Sequence, residues 1–199
     1  MLIREAFNDY ILVDGKDRPT TNSKGHPIHN TEEGIINFWK WFGNSKIVDS
    51  QGRPKILYHA TTSDFNEFNP SGVGAFGRGI YLSENPDRLK QYWQRHATGG
   101  NIMPVYVKAL NPSSLKQMDK EKPPSDNESK IKAIMFQQRL IKAGHDSSID
   151  MLGDKVWEMV VFEPTQIKSA TGNSGKFGIN TDSIVESELT RLKHLSGLI

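Results

Sequence analysis

Three separated segments of the sequence carry side chains that could do chemistry. The first ends a strand-like run with a histidine, a small residue and a hydroxyl, in Leu57-Tyr58-His59-Ala60-Thr61, and the second holds Tyr81 and Tyr92 in the spacing Tyr-x10-Tyr. The third opens a strand-like run with Glu158. An imidazole and a carboxylate can hydrogen-bond a ligand or exchange protons with it, and aromatic rings can stack on a planar group. Each of these residues alone would ordinarily be structural, so their value depends on a fold that brings them into one cleft.

A glycine-rich loop precedes the first of the two tyrosines. It contains the pattern Gly72-x-Gly74-x-x-Gly77, which matches the fingerprint of dinucleotide-binding loops. A loop of that type leaves a strand and opens a helix, and an acidic residue follows farther along a βαβ unit. Here the loop runs instead into the strand-like residues 79–83, and no suitably placed acid follows. We therefore reject the Rossmann interpretation.

Short strand-like runs and amphipathic helices must position these residues. Apolar, β-branched and aromatic runs between turn signals predict strands at 46–49, 55–59, 79–83, 103–108 and 156–162. Capping signals and apolar periodicity predict helices over 31–42, 85–97, 126–143 and 182–195. The strands and helices are interspersed without a regular βαβ rhythm. This arrangement predicts an α+β fold with a mainly antiparallel sheet.

Two of the predicted helices carry specific expectations about packing. The aromatic cluster at 38–42 in the first helix could form a stacking platform for nucleic acid or pack as a stripe onto a sheet. We favour packing onto a sheet. The helix over 126–143 is predicted to bury one face, formed by Ile131, Ile134, Met135, Gln138 and Ile141.

The length of the chain, 199 residues, allows one compact domain with a real core. Residues 1–30 are polar, with too few apolar positions for a core element, and are predicted to form an extended lead-in. The domain itself is predicted to cover 31–175. Residues 176–199 are predicted to form a C-terminal amphipathic helix, packed on the domain or appended to it.

Composition limits the classes of function. No stretch approaches the roughly 20 apolar residues of a membrane helix, and the first residues lack a secretory apolar run. We expect a protein made in the cytoplasm, with delivery into a host or target cell as an open alternative. The absence of cysteine excludes disulfides and thiolate chemistry. The 25 basic residues are dispersed and the net charge is +2, so dominant affinity for nucleic acid is not predicted.

The order of the three segments resembles one enzyme class. A histidine with a following hydroxyl, two tyrosines and a strand-initial glutamate is similar to the His-Tyr-Glu class of ADP-ribosyltransferases, which includes the poly(ADP-ribose) polymerases and diphtheria toxin. The flanks Phe76-Gly77-Arg78-Gly79-Ile80-Tyr81 and Glu158-Met159-Val160-Val161-Phe162 resemble polymerase segments. More narrowly, residues 30–175 resemble the transferase domain embedded in phage and mobile-element polyvalent proteins. Ala60 departs from the glycine that is usual after the histidine.

The resemblance implies an ADP-ribosyltransferase fold, with a split, mainly antiparallel sheet core and flanking helices. It also implies that NAD⁺ is the substrate, without a metal, and that nicotinamide leaves as ADP-ribose is transferred. Glu158 would hydrogen-bond the ribose 2′-hydroxyl on the nicotinamide side and stabilise the charge that develops in the transition state. Tyr81 and Tyr92 would stack on nicotinamide, and His59 would donate to the adenosine ribose. His59, Tyr81 and Glu158 are therefore the expected catalytic residues.

The other expected contacts to NAD⁺ come from the same segments. The resemblance assigns Thr61 to the second ribose region and the backbone of Ala60 to the carboxamide. The complete expected NAD⁺-binding set is His59, Ala60, Thr61, Gly79, Tyr81, Tyr92 and Glu158.

The acceptor of ADP-ribose is less determined by the sequence. Arginine-modifying members of the superfamily carry an acid or amide two residues before the glutamate, and Val156 stands there, so we expect an acceptor other than arginine. We favour single transfer to a protein, by a monomer, over transfer to nucleic acid or polymer formation. Residues 143–154 are either a substrate-facing loop or an ordinary surface connection, and Arg88 matches a basic position near the catalytic acid. An NAD⁺ glycohydrolase and an inactive binding module are the alternatives.

Overall fold

The computed structural model describes residues 8–62, 65–70, 72–93, 100–114 and 126–186, and of residues 90–93 it describes the backbone alone. Three helices lie in these ranges, namely α1 (Glu32–Phe42), α2 (Pro86–Trp93) and α3 (Asn127–Lys142). The strands are β1 (Tyr10–Val13), β2 (Lys16–Pro19), β3 (Leu57–Thr61), β4 (Val73–Gly74), β5 (Gly77–Arg78), β6 (Ile80–Leu82), β7 (Asn101–Val107), β8 (Pro112–Ser114), β9 (Ser147–Leu152), β10 (Lys155–Val161) and β11 (Ile167–Ser169).

The strands form two main sheets and two small hairpins. One sheet has the order β6-β10-β9-β8, and the other has the order β11-β7-β3. Neighbouring strands are antiparallel except for the pair β8 and β9. Both sheets contribute to one buried cluster, which contains Leu57 and Val105 from one sheet and Leu82 and Met159 from the other. The fold is therefore α+β, with a split and mainly antiparallel sheet, as the sequence predicts.

α1 begins and ends at the residues that its sequence signals predict. The Thr31 hydroxyl caps the first turn by accepting a backbone N–H, and Gly43 follows the last residue with a φ of 59°. The aromatic side chains at 38–42 are at most 3 % exposed, and they pack with one another and with Tyr106 of β7. Rings buried in this way cannot stack on bases, so the packing interpretation is confirmed.

Residues 8–30 form a hairpin and turns that contribute apolar side chains to the core, which corrects the prediction of an extended lead-in. β1 and β2 pair around Asp14-Gly15, where both residues have positive φ, 50° and 74°. Val13 and Ile28 are buried in the same cluster as α1, and the indole N–H of Trp39 donates to the Pro19 carbonyl at 2.9 Å. Few apolar residues suffice here because the hairpin supplies its own backbone pairing and α1 supplies the apolar surface.

α3 packs through a face other than the predicted one. Ala133 and Gln137 are buried, whereas Ile131 and Met135 are 56 % and 55 % exposed and Ile141 is 49 % exposed. The Gln137 amide bonds to the backbone of β5. A helix docked through a polar amide cannot be oriented from apolar periodicity, which explains the error.

Two other predicted segments differ from the structure. Residues 46–49 form no strand, because the Asp49 carboxylate accepts the backbone N–H groups of Gln51 and Arg53, each at 2.9 Å, and folds the chain into a turn. Half of the segment 143–154 is strand β9 rather than a loop, since β8 and β10 pair with it on its two sides.

The predicted C-terminal helix does not begin at residue 182. Residues 182–186 form a single β-bridge at Ser183 followed by a bend, because Ile184 donates its N–H to the Asn66 carbonyl and accepts the Ser169 N–H, both at 2.9 Å, and Glu186 has a φ of 51°. The rest of the predicted helix, within 187–199, lies outside the described residues.

A buried ion pair holds residues 182–186 in place. Lys168 is 0 % exposed and lies 2.6 Å from the Glu186 carboxylate, and its ammonium also donates to the carbonyls of Thr181 and Ser183. Burial lowers the pKa of Lys168, and the Glu186 carboxylate opposes that shift. The fully satisfied ammonium therefore ties the segment to β11.

Candidate active site

The three segments that carry the predicted site residues meet at Ser83. Its backbone exchanges hydrogen bonds of 2.8 and 3.1 Å with Tyr58 of β3. Its hydroxyl donates to the Trp157 carbonyl of β10 at 2.8 Å. The predicted histidine, first tyrosine and glutamate are each within two residues of this junction along the chain, so the fold brings their strands together.

His59 is half-buried at the end of β3, with its ring fixed by a backbone carbonyl. Its Nδ1 lies 2.9 Å from the carbonyl oxygen of Tyr81. A carbonyl oxygen only accepts, so Nδ1 carries the proton and Nε2 of the neutral ring is an acceptor. Burial lowers the pKa of His59, although the Tyr81 carbonyl opposes this. The rings of Phe65 and Phe68 meet the imidazole edge-on, with centroids 6.2 and 4.9 Å away.

The phenol of Tyr81 is held by the hairpin formed by β4 and β5. It accepts the Phe76 N–H at 3.1 Å and donates to the Gly77 carbonyl at 2.9 Å. Burial, together with the charge of Glu158, raises the pKa of Tyr81 to about 12. The phenol is therefore protonated at neutral pH, and its ring can position a ligand but not exchange a proton with it.

Gly79 allows β6 to lie close to β10. A Cβ at this position would lie 2.5 Å from the Val161 carbonyl oxygen and 2.6 Å from the Val160 side chain. Val160 is also the residue opposite Tyr81 in the strand pairing. A glycine is needed here to set the distance between the strands of Tyr81 and Glu158.

Glu158 is held by Arg88 through one of its two carboxylate oxygens. Nη2 of Arg88 lies 2.8 Å from Oε2 of Glu158, and Nη1 donates to the Trp157 carbonyl at 2.6 Å. The guanidinium also lies over the Trp157 ring, 4.6 Å from its centroid. Among the described residues, Oε1 of Glu158 has no hydrogen-bond partner. One oxygen is thus fixed by the protein, and the other can bind a ligand.

A bulge in β10 separates Glu158 from Val156. Val156 lies opposite Met151, whereas Glu158 lies opposite Asp150, and the register shifts between them. Val156 is 2 % exposed, so the residue two before the glutamate is buried in the core. Directly paired residues share one face of an antiparallel sheet, which places Asp150 on the face of Glu158. The Asp150 carboxylate has no partner within the described part of the chain.

The remaining predicted residues are placed as follows. Ala60 and Thr61 continue β3 opposite Ile102 and Asn101 of β7. The φ of Ala60 is not positive, so the alanine causes no backbone strain at the position where glycine is usual. Tyr92 lies in α2, and its side chain is outside the described residues.

Sequence reasoning missed three side chains around the site. Phe65 and Phe68 form the wall beside the imidazole, and the signal for them is a pair of aromatic residues three apart soon after the histidine strand. Gln137 was placed on no predicted face, although it contacts the hairpin over Tyr81. No local signal identifies Gln137, because its contact is with Arg78 of β5, which lies 59 residues away along the chain.

A split sheet with histidine, tyrosine and glutamate on adjoining strands is the architecture of an ADP-ribosyltransferase domain. Residues 49–177, well over half of the chain, match the family model described as ADP-ribosyltransferase in polyvalent proteins. The chain belongs to this family, whose substrate is NAD⁺. No curated protein and no solved structure gives a match.

Two further findings concern the described ranges alone. Neither α1, α2 nor α3 has the length and apolar character that crossing a membrane requires. Outside the gaps in those ranges, no group of three or more histidine or acidic side chains is arranged to hold a metal ion.

Proposed function

We propose that this chain is an active mono-ADP-ribosyltransferase that cleaves the nicotinamide–ribose bond of NAD⁺. The observation that carries the proposal is the state of Glu158, one oxygen of which is fixed by Arg88 while the other has no partner among the described residues. A carboxylate held in advance needs little reorganisation when positive charge develops beside it.

The reaction follows from the charge of the leaving group. The C1′–N bond breaks, its electron pair stays on nicotinamide, and the positive charge moves from the ring to the ribose, as in oxocarbenium-like glycoside cleavage. Oε1 of Glu158 accepts the ribose 2′-hydroxyl and stabilises that charge. The acceptor then attacks C1′ and loses its proton. The carboxylate interaction is stronger in the transition state than with bound NAD⁺, so it acts on kcat.

His59 and Tyr81 bind NAD⁺ in this proposal. The family resemblance implies that His59 donates a hydrogen bond to the adenosine ribose. Because the Nδ1–H of the neutral ring donates to the Tyr81 carbonyl, Nε2 instead accepts a hydrogen bond from a ribose hydroxyl in this proposal. Tyr81 stacks on nicotinamide, Tyr92 is proposed for the other face, and Ala60, Thr61 and Gly79 complete the binding set.

We propose a protein acceptor, modified once and on a residue other than arginine. The burial of Val156 supports this, because the position that carries an acid or amide in arginine-modifying members cannot reach an acceptor here. Asp150 lies opposite Glu158 on the same face of the sheet, and we propose that its carboxylate orients or deprotonates the acceptor.

The test compares the native chain with Glu158→Gln in the presence of NAD⁺ labelled in the adenine. Nicotinamide release and incorporation of label into lysate proteins and nucleic acids are measured together. We expect release and protein labelling from the native chain, and a loss of roughly 100- to 1000-fold in kcat for Glu158→Gln, as for other single electrostatic stabilisers. Glu158→Asp is the matched control, because it keeps the negative charge on a side chain that is one methylene shorter.

The same experiment separates the alternatives. Nicotinamide release that does not change when every macromolecular acceptor is omitted, without labelled product, would identify an NAD⁺ glycohydrolase. No release from either protein, with NAD⁺ still bound, would identify a binding module. Labelling confined to nucleic acid would contradict the proposed protein acceptor and leave the proposed transferase activity intact.

A further inference from the structure

The ring of Tyr81 takes its orientation from the hairpin that covers it. Both hydrogen bonds of the phenol go to this hairpin, at Phe76 in the turn between β4 and β5 and at Gly77 in β5. The ring also lies so close to Gly74 that a Cβ there would be 2.3 Å from the phenol oxygen. Any movement of the hairpin therefore moves or releases the ring.

This hairpin is too short to fix its own position. β4 and β5 have two residues each, and isolated two-stranded hairpins are marginally stable at best even when longer. A side chain of α3 holds the hairpin in position. Oε1 of Gln137 accepts the Arg78 N–H at 2.9 Å, and Nε2 donates to the Arg78 carbonyl at 2.5 Å. Gly77 permits this approach, because a Cβ there would lie 2.6 Å from the same Oε1.

A primary amide is the side chain that can make such a contact. It presents one donor and one acceptor side by side, as a peptide group does, and so pairs with the backbone of β5 like an added strand. Gln137 is 7 % exposed, and both of its polar atoms are used in this contact. The burial of a glutamine in place of the apolar residues of α3 is explained by this pairing.

We propose that Gln137 is a positioning residue that sets the ring of Tyr81 for nicotinamide, acting through the hairpin without touching NAD⁺. The proposal rests on the proposed function of Tyr81. It extends the active site to α3, a helix inserted between β8 and β9 that carries none of the predicted site residues.

The test uses Gln137→Ala and Gln137→Glu, with Gln138→Ala as the control, because Gln138 is the exposed neighbour on the same helix. Gln137→Glu keeps the size and the acceptor but loses the donor, and it serves if the alanine variant fails to fold. We expect the KM for NAD⁺ to rise about two- to tenfold in both Gln137 variants, the range that one aromatic stack supports, with kcat within about twofold. Gln138→Ala should leave both constants unchanged.

A double-mutant comparison separates positioning from general stability. If Gln137 acts through the ring, Gln137→Ala adds no further rise in KM to a Tyr81→Ala variant. Additive effects, or an unchanged KM in both Gln137 variants while the native chain is active, would overturn the proposal and leave the proposed function intact.

A second readout needs no activity. The ring signals of Tyr81, assigned by comparison with Tyr81→Phe, are recorded by NMR with labelled tyrosine. A shifted and broadened Tyr81 signal in Gln137→Ala supports the proposal, and an unshifted signal overturns it. Absence of nicotinamide release from the native chain would contradict the proposed function instead, so the two failures are distinguishable.

Discussion

A substitution of Arg88 tests whether its guanidinium holds the Glu158 carboxylate in position for NAD⁺ cleavage. Replacing it with methionine removes the 2.8 Å contact to Oε2 of Glu158 and the 2.6 Å bond to the Trp157 carbonyl. Methionine keeps an apolar chain that can pack on the Trp157 ring. A hydrogen bond to a charged group contributes about 1.5–3 kcal/mol when it is shielded. The two side chains here are 29 % and 26 % exposed, so solvent screening moves the value to the lower end, about 1.5 kcal/mol.

We therefore expect Arg88→Met to lower kcat for nicotinamide release about tenfold, since about 1.4 kcal/mol corresponds to one power of ten. The KM for NAD⁺ should change little, because the guanidinium acts on the carboxylate and not on the bound ground state. Arg88→Lys, which restores the charge but makes fewer hydrogen bonds, should recover part of the loss.

The assay is steady-state nicotinamide release at saturating NAD⁺, repeated in the Glu158→Gln background. There Arg88→Met should cost less than about twofold, because coupled residues do not lose their effects independently. An unchanged kcat with a raised KM would refute this reasoning and indicate that Arg88 binds NAD⁺ directly.

Three further predictions concern other residues of the site. Burial holds the pKa of His59 below 6.5, so kcat/KM should be flat above pH 6.5 and fall as the pH drops below it. The unfolded chain binds this proton at a higher pH than the folded one, so the free energy of unfolding should also fall as the pH drops below 6.5. A fall in kcat/KM centred above pH 6.5 would contradict the assignment. Gly79→Ala should lower the free energy of unfolding by roughly 1–3 kcal/mol in denaturant titrations because its Cβ meets the Val161 carbonyl, whereas Gly72→Ala, with no atom within 4 Å, should be neutral. Asp150→Asn should reduce transfer to protein by about tenfold or more while nicotinamide release persists, as expected for loss of one acid–base or orienting group, and equal loss of both would show that Asp150 serves NAD⁺ cleavage.

The strands around the site could be predicted because their apolar runs arise from burial in the cluster between the two sheets. β6, β7 and β10 are observed within one or two residues of the predicted ranges, since each supplies buried residues to the cluster between the sheets. The hairpin of β1 and β2 also had a signal, Asp14-Gly15 between strand-like residues, which is typical of a tight hairpin turn. It was missed because the polar composition of the segment outweighed the turn.

The contacts within the site could be predicted only in part. Family resemblance identified which residues to examine, and the sheet register brings three of their strands together. The proton on Nδ1 of His59, the division of labour between the two oxygens of Glu158 and the anchoring of Tyr81 by Gln137 all arise from contacts across 22 to 70 positions of the chain. Periodicity and spacing describe neighbours along the chain and carry no information about such pairs.

The hairpin of β1 and β2 and helix α1 limit how far the chain can be shortened without exposing its core. The family match begins at residue 49, yet the second hydrophobic cluster is built largely from Val13, Ile28 and the aromatic side chains of α1. The family match ends at residue 177, before Glu186, whose carboxylate pairs with the buried Lys168. An excised fragment of residues 49–177 would therefore expose the underside of its smaller sheet to water and aggregate. A fragment intended to keep both hydrophobic clusters closed should therefore include residues 8–186, which is longer than the stretch that the family model matches.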